Sequence, residues 1–306
     1  MTITYDPKHP MYLDEADTRK ELERVYDLCH GCRLCFKFCP SFPTLFSYID
    51  MHDDQDAGKM TPAQQDHVVD ECFQCKLCYV MCPYIPELHE WALDFPRLML
   101  RADAMRRANG QVSARDKLTT AVMGHTDALG KVATKAGVVS NVVMGAKPGS
   151  LIRKVVEKTA GISSVRMLPP FAKQRFTTWF KKRPQIRLTK SQGDVAVFPT
   201  CLVEYQDPRI GHDLVKVYEH NGVSCSLAGT TNCCGAPYLH SGDMDTFTKV
   251  AAKNISELVK DVRAGKDIVV PQPTCSYILK KDYVDYFGGP DAKLVSEHTY
   301  DAAEYL

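Results

Sequence analysis

Short apolar runs alternate with amphipathic segments over the last third of this 306-residue chain. Three runs are apolar at nearly every position, as in strands that are covered on both faces, and they lie at residues 195–198, 223–227 and 268–270. The segment 208–221 follows Asp207 and ends before a glycine, and the segment 243–264 has one continuous apolar face, so both predict helices. This β-α-β-α-β order predicts a small parallel sheet, because right-handed crossovers connect such strands.

Helical periodicity dominates the first two thirds of the chain. Residues 18–28 place apolar side chains at helical spacing, and Thr61-Pro62 supplies an N-cap and a first-turn proline for a helix that reaches residue 71. Three further segments carry apolar residues near i, i+3 and i+4 with cations on the remaining face, and they are 97–108, 119–136 and 151–160. The pattern predicts an α + α/β multidomain chain with an α-helical domain, a helical connector and a small parallel α/β domain.

One cysteine pattern occurs twice between the predicted helices of the first domain. Its copies are Cys29-x2-Cys32-x2-Cys35-x3-Cys39-Pro40 and Cys72-x2-Cys75-x2-Cys78-x3-Cys82-Pro83. In two-cluster ferredoxins the fourth cysteine of each run binds the cluster held by the other run. The pattern predicts two [4Fe–4S] clusters with crossed ligands, one bound by Cys29, Cys32, Cys35 and Cys82 and the other by Cys72, Cys75, Cys78 and Cys39. Apolar side chains inside the runs are expected either to shield the clusters from water or to belong to the ordinary core, namely Phe36, Phe38, Phe73, Leu77, Tyr79, Val80 and Met81.

Zinc and disulfides are the alternative uses of these eight cysteines. Structural zinc takes cysteines in pairs two to four residues apart and leaves no role for the third and fourth cysteine of each run. The first residues lack the basic start and apolar core of a signal peptide, so the 13 cysteines are expected in a reducing compartment, where disulfides are rare. We therefore expect a cytoplasmic protein.

Charge divides the chain into three segments, although the net charge is only +1. Residues 1–96 carry a net charge of −9, residues 97–190 of +16 and residues 191–306 of −6. The segments are interpreted as a ferredoxin-type domain, a basic helical connector and a cysteine-rich α/β domain. The basic connector does not predict nucleic-acid binding, because no nucleic-acid module accompanies it.

The end of the basic connector alternates aromatic residues with cations. Phe176, Trp179 and Phe180 would share one side of a helix, as in helices that lie in a bilayer interface. A solvated connector whose aromatics pack on their own domain and a docking face for an acidic partner are the alternatives. The longest uncharged stretch, 221–242, is too polar to span a bilayer, so any membrane contact would be peripheral, on the inner face of the cytoplasmic membrane.

The last domain places four cysteines directly after predicted strands, and they are Cys201, Cys233, Cys234 and Cys275. Ligands gather outside the carboxyl ends of parallel strands, so three loops would bring four thiols to one sheet edge as a possible third redox or metal site. Cys225 lies inside the second strand and is expected to be a buried apolar side chain. His30, beside Cys29, is expected to be an exposed loop histidine.

These parts, in this order, resemble the CCG-domain iron–sulfur oxidoreductases. Cys201, then Cys233-Cys234-Gly235-Ala236-Pro237, then Cys275 resembles the CCG domain, and that family also places a double ferredoxin motif ahead of it. The family includes iron–sulfur subunits of heterodisulfide reductases, glycolate oxidase and anaerobic glycerol-3-phosphate dehydrogenase. The resemblance implies that the eight ferredoxin-type cysteines bind two [4Fe–4S] clusters. It also implies electron transfer between a flavoprotein dehydrogenase partner, for a 2-hydroxy acid or glycerol-3-phosphate, and a membrane quinone or other acceptor.

Two departures from the family pattern bear on the CCG site. Gln272 stands where the full pattern has a cysteine, so four thiols remain and a conventional cluster, a smaller one or a vacant site are all open. The family usually carries two CCG domains, whereas one is found here, so either a partner supplies the second or the chain is a fragment.

No motif in the chain predicts a complete enzyme. A Gly-x-Gly-x-x-Gly after a strand and a phosphate-binding Gly-Lys-Ser/Thr loop are both missing from the sequence, so we expect no flavin or nicotinamide site. We expect the electron-transfer component of an oxidoreductase complex. The alternatives are a thiol–disulfide reductase with catalysis at the CCG site and a non-redox metal-binding scaffold.

Overall fold

The computed structural model describes residues 5–184, 192–230 and 232–306, which form two compact units. The first unit contains the chain up to Ser113 together with Leu239–Met244, and the second contains Ala114–Tyr238 and Asp245–Leu306. The predicted boundary between residues 190 and 191 lies outside the described residues. The three-segment division of the chain stays a prediction.

The described part of the first unit is helical. Its elements are α1 (Glu15–Cys32), α2 (Ser41–Asp50), a 3-10 helix (Ala57–Lys59), α3 (Pro62–Asp70), α4 (Leu77–Met81) and α5 (Phe95–Ala108). Thr61 and Gln64 cap each other's backbone N–H groups at the start of α3, which confirms the predicted N-cap. The prediction that the first helix ends before Cys29 is wrong, because α1 continues through Cys32 and ends at Arg33, whose φ is 52°.

The core of the first unit lies between α1, α2, α3 and α5. Tyr26, Phe42 and Leu98 are among its fully buried side chains. Six of the eight ferredoxin-type cysteines pack against this core, namely Cys29, Cys35, Cys39, Cys72, Cys78 and Cys82. The two cysteine runs are therefore held by one apolar core.

Arg101 is a fully buried cation in this unit. Its guanidinium donates to the Tyr12 carbonyl at 2.9 Å and to the Met11 carbonyl at 2.5 Å, and it pairs with the Asp17 carboxylate at 2.5 Å. A buried charge is tolerated only when it is paired and hydrogen-bonded in this way. Arg101 thus fixes the segment before α1 against α5.

The second unit joins helices to a parallel sheet. The helices before the sheet are α6 (Ala114–Gly124), α7 (Thr126–Lys135), α8 (Gly137–Met144), α9 (Leu151–Ala160) and α10 (Phe176–Lys182). The strands are β1 (Gly193–Val197), β2 (Val223–Leu227), β3 (Asp267–Val270) and β4 (Thr299–Asp301). The remaining helices are α11 (Cys201–Tyr205), α12 (Pro208–His220), α13 (Ala236–Leu239), α14 (Met244–Arg263), α15 (Pro273–Tyr277), a π-helix (Ile278–Phe287) and α16 (Pro290–Glu297).

The four strands pair in parallel in the order β2-β1-β3-β4. Val195, Ala196 and Val197 are all buried, although successive residues point to opposite faces, so both faces of the sheet are covered. The predicted parallel sheet and its first three strands are confirmed. The fourth strand, β4, was not predicted.

The aromatic face of α10 is buried in its own unit. Phe176 is 0% exposed and belongs to the core that contains Val195 and Val215, and Trp179 and Phe180 pack against the same core. The structure supports the alternative in which the aromatic residues of this helix pack on their own domain, because Phe176 is buried and the other two rings are partly buried. Among the described helices, none is both long and apolar enough to cross a membrane.

Candidate functional site

Four ferredoxin-type cysteines from both runs line one small cavity in the first unit. Cys29, Cys32 and Cys35 come from the first run and Cys82 comes from the second, and the cavity has a volume of about 30 Å³. Burial, with the nearby Cys82 and Cys32, raises the pKa of Cys35 to about 11. Thiols that share a buried cavity resist deprotonation unless a cation compensates their charge, so this donor set fits a bound metal cluster.

The fourth cysteine of the first run lies near the second run. Burial raises the pKa of Cys72 to about 11, and the neighbouring Cys39 adds to this rise. Burial also raises the pKa of Cys78, and Cys72 adds most to this rise among the neighbouring thiols, followed by Cys35, Cys29 and Cys39. Cys75 is exposed, as is Cys32 in the first run. Each run therefore sends its fourth cysteine toward the other run.

The two loops turn at equivalent positions. Arg33 and Lys76 directly follow the second cysteine of their runs, and both have positive φ, 52° and 64°. Such left-handed backbone is unfavourable for a residue with a side chain by about 1–2 kcal/mol, so the loop shape is imposed by the surrounding fold. Gln74 helps to hold the second loop, because its amide lies 3.5 Å from Cys72 Sγ and 3.2 Å from the Pro96 carbonyl.

His30 differs from its predicted exposed position. It lies within α1, is 7% exposed, and its Nε2 is 2.8 Å from Asp50 Oδ1. Its ring meets the edge of Phe46. The prediction fails because α1 continues through the first cysteines and turns this side chain against α2.

The expected apolar shield around the cysteine runs is largely wrong. Phe73 is 69% exposed and Val80 is 74% exposed, and three more of its predicted members are also exposed, namely Phe36, Leu77 and Met81. The cause is the short α4, none of whose side chains is buried. The water-excluding side of the loops is instead formed by the core beneath the six packed cysteines.

In the second unit, three loops at one sheet edge bring four thiols into a row. Cys201 lies beside Cys233, Cys233 beside Cys234, and Cys234 beside Cys275. The Cys201 hydrogen bond lowers the pKa of Cys233, but Cys234 and burial together raise it to about 12. Cys225, by contrast, packs against the core beside β2 and lies near Glu219. Among the residues that the structure describes, no three Cys, His, Asp or Glu side chains lie close enough together to share one metal ion.

The backbone is unusual on both sides of this row. Thr200, directly before Cys201, has φ of 25°, which is costly for a β-branched residue, and its buried hydroxyl makes no hydrogen bond within the described residues. Gly235, directly after Cys234, has φ of 95°, and an added Cβ would lie 3.0 Å from the Phe247 ring. Strain of this kind is often found at functional sites.

Buried polar groups hold the main chain of the thiol row. Asn254 donates to the Cys233 carbonyl at 2.9 Å, and the Tyr283 hydroxyl donates to the Cys234 carbonyl at 2.8 Å. Sequence reasoning missed both residues. A signal existed for Asn254, because it lies seven residues after Phe247 and so on the apolar face of α14, where a polar residue needs partners. Tyr283 lies in the unpredicted π-helix and gave no such signal.

Two residues that are not cysteines, Gln272 and Asp127, also lie next to the thiol row. The side-chain amide oxygen of Gln272 lies 3.7 Å from Cys275 Sγ. The residue at the family's cysteine position therefore still faces the site. Asp127 Oδ2 accepts a hydrogen bond from the Cys233 N–H at 2.8 Å. Burial raises the pKa of Asp127, and the Cys233 N–H and Tyr205 hydroxyl oppose that rise.

Comparison with known protein families gives the class that these sites define. Residues 21–83 match the 4Fe-4S dicluster domain, and residues 195–280 match the cysteine-rich CCG domain. The chain is an iron–sulfur protein that combines a 4Fe-4S dicluster domain with a CCG domain.

Two curated proteins show what the chain is similar to. The chain is homologous to one subunit of the anaerobic glycerol-3-phosphate dehydrogenase of Escherichia coli K12, with 27% identity over 206 residues, which are 67% of this chain and 51% of that protein. Lactate utilization protein A of Bacillus pumilus is 29% identical over 119 residues, which are 37% of this chain and 47% of that protein. The chain thus spans about half the length of the curated relatives that it matches. No solved structure matches it.

Proposed function

We propose that the chain is an electron-transfer subunit in which Cys29, Cys32, Cys35 and Cys82 hold one [4Fe–4S] cluster and Cys72, Cys75, Cys78 and Cys39 hold another. The observation that carries the proposal is the single cavity lined by three cysteines of the first run and the fourth cysteine of the second. The clusters would supply one-electron redox chemistry. The core beneath the loops would exclude water on one side, while Cys32 and Cys75 keep the other side accessible to a partner.

Iron counting in double mutants tests the crossed ligands. The experiment uses the full chain with Cys234→Ala, so that the CCG site does not contribute iron, and reconstitutes it anaerobically with iron and sulfide. This background should bind about eight irons, and Cys32→Ala should remove about four. Adding Cys82→Ala should remove no more, because both cysteines serve the same cluster. Adding Cys39→Ala instead should remove nearly all the remaining iron.

The same two double mutants also test the alternative in which each run binds its own cluster. If Cys32→Ala with Cys82→Ala lost all iron while Cys32→Ala with Cys39→Ala kept about four, each run would bind its own cluster and the crossed assignment would be wrong. Tightly bound zinc without sulfide would refute the electron-transfer function itself. EPR of the reduced chain should show two interacting clusters.

A flavoprotein dehydrogenase is the proposed partner, with a membrane quinone as the proposed acceptor. The names of the two relatives support a partner that acts on glycerol-3-phosphate or on a 2-hydroxy acid such as lactate. The net charge of −9 over residues 1–96 favours a partner with a basic docking face. Purification of the chain with its natural partner and identification of that partner's flavin tests this step. A flavin-free partner would contradict it.

Peripheral contact with an anionic membrane is the second part of the proposal. Residues 114–184 carry 14 Lys/Arg against 3 Asp/Glu. On α9, Leu151 is 81% exposed and Val155 is 61% exposed, while Lys154 and Lys158 are exposed too. An exposed apolar stripe with cations beside it is the arrangement that binds lipid interfaces. Binding should occur with anionic vesicles, weaken with salt, and be absent with zwitterionic vesicles.

The four thiols of the second unit are proposed as a third redox site that holds an iron–sulfur cluster. Cys233, Cys234 and Cys275 are each at most 5% exposed, which counts against direct attack on a disulfide substrate. Iron bound beyond that of the two ferredoxin-type clusters, and lost in Cys234→Ala, would support the third site. Reduction of a disulfide by the prereduced chain alone would favour the thiol–disulfide reductase.

A further inference from the structure

The start of α7 is built to lie against the thiol loops. Residues 124–130 read Gly-His-Thr-Asp-Ala-Leu-Gly and fall outside both matched domains. A Cβ added to Gly124 would lie 2.1 Å from the Tyr238 ring, and one added to Gly130 would lie 2.5 Å from the Tyr205 ring. The two glycines therefore allow the backbone of this segment to approach both tyrosines closely.

Those two tyrosines belong to the helices that flank the thiols. Tyr205 ends α11, which begins at Cys201, and Tyr238 lies in α13, which follows Cys233-Cys234-Gly235. The Tyr205 hydroxyl lies 3.3 Å from Asp127 Oδ1 and 3.2 Å from its carbonyl oxygen. The segment 124–130 thus contacts both cysteine-bearing loops through rings and hydrogen bonds.

Asp127 makes the most direct link to a thiol residue. Its second carboxylate oxygen accepts the Cys233 N–H at 2.8 Å, so one carboxylate is shared between Cys233 and Tyr205. On the far side of the same residue, Asn254 donates to the Cys233 carbonyl at 2.9 Å. Asp127 of α7 therefore holds the N–H of Cys233, and Asn254 of α14 holds its carbonyl group.

Thr126 lies beside the other end of the thiol row. Its buried hydroxyl oxygen has no hydrogen-bond partner within standard geometry among the described residues, and it is next to the Cys201 thiol. A buried hydroxyl without a partner is rare in proteins and calls for an explanation. Donation to a sulfur that is charged in the metal-bound state would supply that partner.

We infer that Thr126 and Asp127 are positioning residues of the CCG thiol site: Asp127 fixes the Cys233 main chain and adds one negative charge beside the thiols, and Thr126 donates to Cys201. The inference rests on the proposed third redox site and extends it to residues outside the CCG domain. Thiolates with an adjacent carboxylate favour a cationic inorganic centre, and the added charge disfavours an extra electron there.

Asp127→Asn and Asp127→Ala separate the two roles of the carboxylate. Asparagine keeps an acceptor for the Cys233 N–H and can donate to Tyr205, but it removes the charge, whereas alanine removes both. Asp116→Asn, an exposed residue of α6, is the matched control for loss of one charge. The first readout is the hydrogen-exchange rate of the Cys233 amide, whose N–H donates to Asp127, in the metal-free full chain, resolved by fragmentation mass spectrometry.

We expect exchange of this amide to be roughly tenfold faster in Asp127→Ala, because its acceptor is lost, and close to the wild-type rate in Asp127→Asn and Asp116→Asn. After reconstitution, Asp127→Asn should keep the iron of the third site with a more positive reduction potential, and Asp127→Ala should lose that iron. Thr126→Val should change the spectrum of the third site without unfolding, whereas Thr126→Ser should restore it.

A wild-type exchange rate of the Cys233 amide in Asp127→Ala would overturn the inference, as would identical iron loss in Asp127→Asn and Asp127→Ala. If the wild-type chain binds no third centre, the proposed redox site fails, yet the exchange rates of the metal-free chain still decide whether Asp127 holds the Cys233 main chain. Circular dichroism of each variant identifies any loss of fold, and in that case Asp127→Asn, the isosteric change, decides the result.

Discussion

Replacement of Phe176 by alanine distinguishes a core helix from a membrane helix. Phe176 is fully buried and packs against Trp179 and Phe180, with both pairs of ring centroids 5.8 Å apart. Gly211 lies so close that an added Cβ would be 2.6 Å from the ring. Gly211 is part of the α12 backbone and cannot move in to fill the space left by the ring. Phe176→Ala should therefore leave a cavity.

The expected loss of unfolding free energy is about 3–5 kcal/mol, the usual cost of removing a buried phenylalanine ring and leaving a cavity. The two lost ring pairs place the expected value toward the upper end of that range. Leu151→Ala is the control, because this leucine is 81% exposed and its removal should change stability by less than about 0.5 kcal/mol.

Trp179 is the reporter for this measurement. The chain has two tryptophans, so a Trp91→Phe background leaves Trp179 as the only one. Urea unfolding followed by its fluorescence reports the second unit locally, and vesicle sedimentation of the same variants reports lipid binding. We expect Phe176→Ala to lose stability and keep vesicle binding, and Leu151→Ala to do the opposite. A loss below about 1 kcal/mol in Phe176→Ala, or loss of its vesicle binding while it remains folded, would refute the assignment of α10 to the core.

Three further substitutions test other parts of the fold. Thr177 donates to Glu204 through its N–H at 2.9 Å and its hydroxyl at 2.7 Å, and burial raises the pKa of Glu204. The folded state therefore holds the proton of the Glu204 carboxyl more tightly than the unfolded state does. As the pH rises through the folded pKa, the stability of the wild type should fall relative to Glu204→Gln. Urea titrations at pH 4.5–8 would show no such trend if Glu204 were exposed. Arg101→Met should cost about 3–5 kcal/mol by thermal unfolding, because it leaves Asp17 without its buried partner, and a loss under about 1 kcal/mol would contradict that pairing. Gly235→Ala should reduce iron at the third site and unfolding free energy together, owing to its positive φ, and an unchanged variant would contradict the strain.

Local signals in the sequence predicted much of the fold. The first three strands were predicted because each is a run of apolar residues between turn signals, and Thr61 was predicted because its cap lies within four residues of its partner. β4 is only three residues long, from Thr299 to Asp301, which is too short to show a period. The helical segment 119–136 was predicted as continuous, whereas the structure breaks it at His125.

In the candidate sites, too, local features could be predicted from the sequence and long-range contacts could not. The spacing within each cysteine run is visible in the sequence. The grouping of Cys82 with the first run could therefore be predicted from the ligand pattern of two-cluster ferredoxins. Asp127 could not, because its hydrogen bond to Cys233 joins residues 106 positions apart. The sequence left the role of the α10 face open, because apolar residues beside cations occur in a helix that packs on protein as well as in one that lies on a bilayer. In the structure, Arg183, directly after α10, pairs with Glu219 and lies over the Phe180 ring, so this cation has partners inside the protein.

The segment 124–130 also bears on how such proteins are recombined. Its two glycines and Asp127 contact the cysteine loops from a position about 65 residues before the matched CCG domain begins. An expression fragment cut at residue 191, or a gene fusion that transfers only the matched domain, would leave Cys233 without the acceptor for its N–H and Tyr205 without its neighbour. The structural unit that holds this thiol site is therefore larger than the matched domain and includes part of the basic helical region before it.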